Sequence, residues 1–257
     1  MNVKELFNLK NKTAIITGGG QGLGEQMAIA LAEAGANIVI CSRNIENCQK
    51  VCEQLVNTGV QSMAIKCDIT NQEDIQNVVD QVIQQFGTID VLINNSGTSW
   101  IAPVLDITAD QWDKVMNVNL KGMFLFSQAV GKVMAKQGNG KIINISSVTG
   151  LKGTDPAFLD AIAYSTSKGA VVALTTDLAV KLAKHNIQVN AIAPGFFPSK
   201  KTKAFEKTSH IILRRVPAGR FGTDQDIKGA ALFLSSQASD YITGQVLVVD
   251  GGLLSSI

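Results

Sequence analysis

The sequence predicts an α/β fold in which a doubly wound parallel sheet of about seven strands is flanked by helices. Apolar runs of strand length alternate along the chain with longer amphipathic segments, which is the pattern of successive βαβ units. Hydrophobic residues make up 46% of the 257 residues and aromatic residues only 5%, which suits buried strands of Val, Ile and Ala. No repeat, linker or composition break divides the chain, so we expect one domain over residues 1–257.

Seven apolar runs are the predicted strands, and longer segments between them are the predicted helices. The strands are TAIIT (13–17), NIVIC (37–41), SMAIKC (62–67), DVLIN (90–94), KIINIS (141–146), QVNAIA (188–193) and QVLVVD (245–250). The helices lie near 22–34, 45–57, 71–86, 110–136, 160–185 and 224–236. The segment from Pro194 to about Thr223 has weak periodicity, and we interpret it as a lid over a substrate site.

Charge and hydropathy exclude several classes of partner. Lys and Arg total 23 against 21 Asp and Glu, and a net charge of +2 gives no general case for nucleic acid or a membrane surface. No apolar run reaches the roughly 18 residues that a membrane span needs, and the start, MNVKELFNLKNK, lacks the apolar stretch of a signal peptide. We therefore expect a cytoplasmic protein that binds neither nucleic acid nor a membrane.

Four cysteines fall within one early segment, and they are interpreted as small buried hydrophobes. They are Cys41, Cys48, Cys52 and Cys67. The i,i+4 spacing of Cys48 and Cys52 would suit two metal ligands on a helix. However, no CxxC occurs and the chain has only two histidines, so no metal site is expected.

A glycine-rich turn directly follows the first predicted strand. In TGGGQGLG (17–24), Gly18, Gly22 and Gly24 allow a tight turn and a close approach to a pyrophosphate. The helix that follows offers free N–H groups and a partial positive charge at its N-terminus. A tight strand-to-helix turn also needs glycine, but the position at the first βα junction favours a nucleotide site.

The end of the second strand indicates which nucleotide is bound. An acidic residue there would accept hydrogen bonds from the 2′-hydroxyl of NAD, but this chain has Ser42 and Arg43. A guanidinium can pair with a 2′-phosphate and a serine hydroxyl can donate to it, so NADP(H) is favoured over NAD(H). The alternative is that Arg43 stacks on adenine or faces solvent. Asp68, after the third strand, is placed to meet the adenine edge or to cap the following helix.

The stretch YSTSK places Tyr164 four residues before Lys168 on a predicted helix, so that phenol and ammonium share one face. The carboxyl ends of parallel strands gather at one edge of a sheet. Ser147 after the fifth strand, the NNSG stretch (94–97) after the fourth, and the glycine turn should therefore lie together. Alone, YSTSK could be an ordinary helix start and Ser147 an ordinary loop hydroxyl.

In this order, the motifs resemble the short-chain dehydrogenase/reductase family over nearly the whole chain. They are TGGGQGLG, NNSG, a serine after the fifth strand, YSTSK, and PG at 194–195. The resemblance implies a Rossmann-type sheet and four catalytic residues: Asn119, Ser147, Tyr164 and Lys168. The implied nucleotide contacts are Gly18, Gln21, Gly22, Leu23, Gly24, Ser42, Arg43, Asp68, Ile69, Asn95, Ser96, Gly97, Tyr164, Lys168, Pro194 and Gly195.

Each of the four residues has a chemical role under this resemblance. A ketone that accepts hydride develops negative charge on oxygen, so Tyr164 would donate the proton and Ser147 a second hydrogen bond. Lowering a tyrosine pKa from about 10 to about 7 requires about 4 kcal/mol. One lysine charge about 4 Å away supplies roughly that energy at an effective dielectric of about 20. The resemblance further implies that Asn119 holds a water on a proton path to Lys168; the alternative is a helix-kink or capping amide.

Two positions depart from the commonest family pattern. Ser96 stands where alanine is usual, a small-for-small change that we expect to be harmless. The segment between Ser147 and Tyr164 is several residues longer than is typical, which alters one wall of the substrate pocket.

The substrate is indicated less directly. Residues 200–220 hold seven cations and one acid, which favours an anionic carbonyl substrate such as a coenzyme A or acyl-carrier-protein thioester or a sugar acid, or else forms a solvated face. They are Lys200, Lys201, Lys203, Lys207, Arg214, Arg215 and Arg220, with Glu206. The stretches NNSGTSW (94–100) and APGFFPSKKT (193–202) resemble 3-oxoacyl-thioester reductases, including the reductase of rhamnolipid synthesis, while the overall pattern resembles gluconate 5-dehydrogenases.

We lean toward 3-oxoacyl thioesters because several aromatic side chains would form an apolar pocket wall, although they could instead anchor the lid. They are Trp100, Phe196, Phe197 and Phe205. A non-catalytic NADP(H)-binding sensor is the remaining alternative. The apolar end, YITGQVLVVDGGLLSSI, and an exposed sheet edge need a cover, and the family resemblance suggests a homotetramer.

Overall fold

The computed structural model describes residues 2–198 and 213–256. Seven parallel strands form one sheet in the order β3-β2-β1-β4-β5-β6-β7. The strands are β1 (Thr13–Thr17), β2 (Asn37–Ser42), β3 (Ser62–Lys66), β4 (Val91–Asn94), β5 (Gly140–Ile145), β6 (Ile187–Pro194) and β7 (Val246–Val249). The predicted fold class is confirmed, and every predicted strand agrees with the structure to within one residue at each end.

Helices cover both faces of this sheet. They are α1 (Val3–Leu6), α2 (Gly22–Glu33), α3 (Ile45–Leu55), α4 (Gln72–Phe86), α5 (Ala109–Met116), α6 (Met123–Gln137), α7 (Ile162–Leu182) and α8 (Asp224–Ser235). Helix α1 was not predicted, although the residues of a capping box mark its start. The Asn2 side chain accepts from the backbone N–H of Glu5, and the Glu5 side chain accepts from the backbone N–H of Asn2. None of the helices in the two described ranges is long and apolar enough to cross a membrane.

The long helix predicted over 110–136 is wrong as a single regular element. It is divided into α5 and α6 by a π-helical turn, Asn117–Gly122, in which each hydrogen bond spans one residue more than in an α-helix. Within this turn, the buried side chain of Asn119 is bonded to the backbone of Thr98, a residue far away in sequence. Helical periodicity carries no information about such a long-range bond, so sequence analysis could not place the interruption.

The core lies in two layers, one on each face of the sheet. Side chains alternate along a strand, so Ile16 of β1 packs toward Leu31 of α2 while its neighbour Ile15 packs toward Phe126 of α6. All four of these side chains are completely buried. Burial on both faces explains why the strands are continuous apolar runs rather than alternating ones.

A buried polar chain crosses the sheet near its carboxyl edge. Asn94 and Asn144 are register partners on β4 and β5, and the amide of Asn94 donates to Asn144 Oδ1 (2.9 Å) and to Ser127 Oγ of α6 (2.9 Å). Asn144 in turn donates to Thr175 Oγ1 of α7 (3.0 Å). These bonds fix α6 and α7 relative to the two strands between them.

The predicted lid is only partly described. Its first residue, Pro194, is the last residue of β6, and residues 199–212, which hold all four lysines of the basic stretch together with Phe205 and Glu206, lie outside the described residues. The two flanking segments meet: Gly222 N donates to Phe196 O (2.9 Å), and the Phe196 and Phe221 rings pack edge to face with centroids 6.5 Å apart.

Candidate active site

A cleft of about 320 Å³ opens at the carboxyl edge of β1, β2 and β4. The strand order reverses between β1 and β4, which is where open parallel sheets bind their ligands. Its lining residues are Gly18, Gln21, Ser42, Arg43, Asn44, Cys67, Asp68, Ile69, Asn95, Ser96, Gly97 and Val118. Nine of these were predicted as nucleotide contacts, whereas Asn44, Cys67 and Val118 were not.

The glycine turn supplies a backbone cradle at one end of this cleft. Gly18 and Gly22 have φ of +64° and +60°, a conformation that favours glycine. A side chain on Gly22, the first residue of α2, would meet nothing within 4 Å, so the helix N-terminus is open. At Gly24 an added Cβ would lie 2.4 Å from Asn95 Nδ2, so this glycine allows close packing. An open cradle of N–H groups at a helix N-terminus fits a pyrophosphate.

Asn95 ties the loop after β4 to the loop after β1. Its Nδ2 donates to the carbonyl oxygens of Thr17 (3.1 Å) and Gly18 (3.0 Å). In return, Thr17 Oγ1 accepts from the backbone N–H groups of Asn95 and Ser96, both at 3.0 Å. The side chain predicted as a nucleotide contact therefore holds the glycine turn in place.

At the end of β2, only one of the two predicted phosphate-binding side chains is available. Arg43 is exposed at the cleft. Ser42 also lines the cleft, but its hydroxyl donates to Asn44 O (2.8 Å) and lies 3.1 Å from Cys48 Sγ. A hydroxyl has a single proton to donate, so the predicted donation from Ser42 to a phosphate is not supported.

Asp68 lies at the other wall of the cleft. Its carboxylate accepts from Thr70 N (2.9 Å) and Thr70 Oγ1 (2.8 Å). These bonds, led by the backbone N–H of Thr70 and aided by the charge of Arg43, hold the pKa of Asp68 below its usual value. The alternative that Asp68 caps the next helix is wrong, because Asn71 is the residue whose side chain accepts from the first turn of α4.

The cysteines are free thiols behind this cleft. Cys41, Cys48 and Cys67 are buried, as the interpretation of small hydrophobes expects, while Cys52 is half-buried. Burial raises the pKa of Cys48, and a hydrogen bond with Cys67 followed by burial raises that of Cys41. Within residues 2–198 and 213–256, no three His, Cys, Asp or Glu side chains are grouped as metal ligands.

The catalytic candidates Tyr164 and Lys168 lie in the first two turns of α7, and Ser147 is the second residue after β5. Lys168 is buried; its Nζ lies 5.6 Å from the centroid of the Tyr164 ring and donates to Ile145 O (2.7 Å). Ser147 Oγ accepts from Thr149 N at 3.2 Å. The structure thus brings the predicted serine, tyrosine and lysine together.

Close packing of the backbone fixes Ser147 against α7. The neighbouring Ser146 Oγ donates to Lys168 O (2.7 Å). In the short helical turn Val148–Gly150, an added Cβ on Gly150 would lie 2.4 Å from the carbonyl carbon of Lys168. Only a residue without a side chain allows the turn to approach the helix this closely.

Burial dominates the acid–base behaviour of this group. It raises the pKa of Tyr164, and a hydrogen bond with Ser147 lowers that pKa by a smaller amount. Burial also lowers the pKa of Lys168 from 10.5 to about 8. The expectation that Lys168 lowers the pKa of Tyr164 is therefore not supported, and Ser147 is the side chain that lowers it. The Lys168 ammonium instead donates to Ile145 O, and the low polarity around the two side chains disfavours both the phenolate and the ammonium.

Asn119 is fully buried in the π-helical turn. Its Nδ2 donates to Thr98 O and Ser167 Oγ, both at 2.9 Å, and its Oδ1 accepts from Thr98 N (2.8 Å). A Cβ built on Gly97 would lie 3.5 Å from Asn119 Oδ1 and 3.7 Å from Lys168 Nζ, so Asn119 and the lysine flank one glycine. The contacts match the helix-kink alternative, since both amide protons bond protein atoms.

Ser167 is a residue that the sequence analysis missed. It is buried within YSTSK, accepts from Asn119 and donates to Tyr164 O (2.7 Å). A small polar residue just before the lysine was the available signal. Pro194 and Gly195 lie at the end of β6, where Gly195 N donates to Val249 O (2.9 Å), and they do not line the cleft.

The long segment between Ser147 and Tyr164 is joined to the loop that follows β4, because Asp160 O accepts from Ala102 N (3.0 Å). In that loop, the Trp100 ring carries Lys114 Nζ at 5.2 Å from its centroid.

The chain is similar to several known reductases. Residues 18–254 match a family model described as enoyl-(acyl carrier protein) reductase. The 5-keto-D-gluconate 5-reductase of Escherichia coli strain K12 is 40% identical over 258 residues, covering 99% of this chain and 100% of that protein. The 3-oxoacyl-(acyl-carrier-protein) reductase FabG of Thermotoga maritima is 38% identical over 249 residues, covering 96% and 100%.

The fold also matches solved structures over its whole length. The crystal structure of a gluconate 5-dehydrogenase from Burkholderia cenocepacia J2315, in complex with NADP and tartrate, superposes with a TM-score of 0.93 at 37% identity. The match covers 100% of both chains.

Proposed function

Because the chain belongs to the short-chain dehydrogenase/reductase family, whose members use NAD(P), we propose that it reduces a ketone with NADPH beside Ser147, Tyr164 and Lys168. The observation that carries this proposal is the contact of Tyr164 with the buried Ser147 and Lys168, whose Nζ would lie 3.7 Å from a Cβ on Gly97 of the cleft. Perturbed titratable groups beside a cleft are typical of catalytic sites.

The cleft fits a dinucleotide. The open N-terminus of α2 would hold the pyrophosphate, and Asp68 and Ile69 line the part expected to hold the adenine. Arg43 supports a preference for NADPH, because it is an exposed cation at the end of β2 where an acid would favour NADH. When bound, the dinucleotide supplies the hydride.

The chain's own residues supply the proton. Burial keeps the Tyr164 phenol protonated at neutral pH, so it is ready to donate to the carbonyl oxygen as that atom gains negative charge. The Ser147 hydroxyl stabilises the negative oxygen, and its hydrogen bond also favours the phenolate left behind. With a pKa of about 8, Lys168 is mostly protonated at pH 7, so its ammonium adds positive charge beside both groups.

A pair of tyrosine variants tests the proposal, because the chain has only two tyrosines and the other, Tyr241, is fully exposed. Tyr164→Phe should lower the rate of NADPH oxidation with a ketone by about 10²- to 10⁴-fold, the range for loss of a general acid. Tyr241→Phe should keep the rate. Equal rates for the two variants would contradict the proposal, and nucleotide binding without turnover on any ketone would favour the sensor alternative.

A sugar acid is the substrate class that the relatives support best. Their printed names include a 5-keto-D-gluconate reductase and a gluconate 5-dehydrogenase, each aligned over nearly the whole chain. The second candidate, a 3-oxoacyl thioester, is supported by the FabG relative and by the aromatic side chains Trp100 and Phe196, which lie in the segments that follow β4 and β6. Comparing kcat/KM for 5-ketogluconate and acetoacetyl-CoA separates them.

The homotetramer and the cytoplasmic location stay predictions. Within the described residues, β7 is the last strand of the sheet, and the nearby Tyr241 and Val248 side chains are exposed. Such an edge is suited to association with another subunit. Sedimentation velocity at several protein concentrations would give the number of subunits; a monomer throughout would exclude the tetramer.

A further inference from the structure

One cation near the site is held on an aromatic ring. The guanidinium carbon of Arg215 lies 4.6 Å from the centroid of the Phe158 ring, although Arg215 itself is exposed. A long exposed side chain is ordinarily free to move, and an exposed cation–π pair adds little to stability. The arrangement therefore invites an explanation other than stability.

Phe158 is presented by a defined turn in the loop between Ser147 and Tyr164, which follows the carboxyl end of β5. Asp155 accepts from Ala157 N through its carboxylate (2.9 Å) and from Phe158 N through its carbonyl (2.8 Å). Pro156 follows Asp155, as is common in such turns. The ring lies only six residues before Tyr164.

The backbone of Arg215 is fixed from the opposite side. Ser256 Oγ donates to Arg215 O (3.1 Å). The next residue, Val216, is buried, and it packs so closely on Gly251 that a Cβ there would lie 2.8 Å away. Both ends of the contact are thus anchored, and the guanidinium joins the segment packed on the residues after β7 to the loop after β5, so the contact lies at the carboxyl edge of the sheet, where Ser147 also lies.

The charge of Arg215 has no acidic partner within the described ranges. Arg220, five residues later, shows the contrast: its guanidinium makes two hydrogen bonds, of 2.7 and 2.8 Å, to Asp226. Among residues 2–198 and 213–256, the ion pairs do not include Arg215. Stacking uses the face of a guanidinium and leaves its N–H edge able to bind a carboxylate with two hydrogen bonds.

We propose that Arg215, held on Phe158, binds the carboxylate of an acidic ketone substrate at the mouth of the active site. This proposal rests on the proposed function, because it assigns a specificity-determining residue to the same site. A phosphate of a coenzyme A thioester offers similar chemistry. The carboxylate is favoured because a sugar acid is the substrate class of the proposed function.

Steady-state kinetics with three ketones test the assignment: 5-ketogluconate, acetoacetyl-CoA and the neutral diketone diacetyl. Arg215→Gln should raise KM for 5-ketogluconate by about ten- to a hundredfold, the range for loss of a charged hydrogen bond, and leave kcat and the neutral ketone unchanged. Phe158→Leu should give a smaller rise, because it keeps the charge and frees the side chain. Lys181→Gln, at an exposed lysine near the end of α7, is the matched control and should behave as wild type.

Equilibrium binding separates this proposal from the proposed function. Isothermal titration of NADP-loaded protein with gluconate needs no turnover, and Arg215→Gln should weaken binding by a similar factor while Lys181→Gln should not. An enzyme that reduces none of the ketones would refute the function and leave this measurement valid. Equal gluconate affinity in wild type and Arg215→Gln overturns the proposal, as does a KM increase confined to acetoacetyl-CoA, which assigns Arg215 to a phosphate.

Discussion

Replacing Lys168 with methionine should remove a specific dependence of stability on pH. The amine is buried and its pKa is lowered from 10.5 to about 8 by that burial. Between these two values the unfolded chain binds more protons than the folded one, so the free energy of unfolding rises with pH. Burying the ammonium lowers the free energy of unfolding by its full amount below about pH 8, and this loss disappears as the pH rises toward 10.5.

The size of the effect follows from the two pKa values. At about 1.4 kcal/mol per pH unit, the buried charge costs about 3 kcal/mol at pH 7 and about 2 kcal/mol at pH 9. Wild type should therefore gain about 1 kcal/mol relative to Lys168→Met over this interval. The lost bond to Ile145 O shifts the variant's stability by an amount that does not depend on pH.

Urea denaturation of the nucleotide-free proteins at pH 7, 8 and 9 measures this difference. Lys181→Met is the matched control, because Lys181 is an exposed lysine of the same helix. The free energy of unfolding of Lys181→Met should differ from that of wild type by the same amount at all three pH values. If the difference between wild type and Lys168→Met is also constant across the three pH values, the buried ammonium is not the charged group that this reasoning requires.

Three further predictions concern the tyrosine and the nucleotide site. In a Tyr241→Phe background, Tyr164 is the single tyrosine, so the ultraviolet absorbance of phenolate reports its titration alone. Ser147→Ala should move this titration to higher pH, because the hydrogen bond that lowers the pKa of Tyr164 is lost. A titration at the same pH in both proteins would contradict the Ser147 contact. Arg43→Ser should weaken NADPH binding by about ten- to a hundredfold and leave NADH binding nearly unchanged, as measured by nucleotide fluorescence; equal losses would remove the phosphate role. Gly24→Ala places a methyl group 2.4 Å from an amide nitrogen and should cost about 1–3 kcal/mol in thermal denaturation, whereas a wild-type melting temperature would show that the turn can relax.

The strands were predictable because each is buried on both faces. A parallel strand in that position is a short continuous apolar run, which needs no knowledge of its partners. The glycine turn and YSTSK were also readable, since local spacing decides which face of a helix or which turn a residue occupies. Their positions at the carboxyl edge followed from the sheet rule alone.

Contacts between distant residues were not predictable. The π-helical turn accompanies a bond from Asn119 to Thr98, and no local pattern announces it. The absence of the expected lowering of the Tyr164 pKa by Lys168 was not predictable, because the spacing of two residues says nothing about the polarity around them. Burial has a larger effect on the pKa of Tyr164 than any neighbouring side chain. Ser42 was misjudged for a different reason: its proton is donated to Asn44 O within its own loop, and this short-range bond leaves no proton for a ligand.

The paired amides of Asn94 and Asn144 bear on how the polypeptide acquires its shape during synthesis. A nascent chain that ends before residue 144 carries Asn94 on β4 without its neighbour across the strand, and an amide without that partner in apolar surroundings is unfavourable. The nucleotide-binding half therefore gains its full rigidity only after β5 and the helix bearing Thr175 have emerged from the ribosome. Binding of NADPH to ribosome-stalled chains should begin only beyond that length.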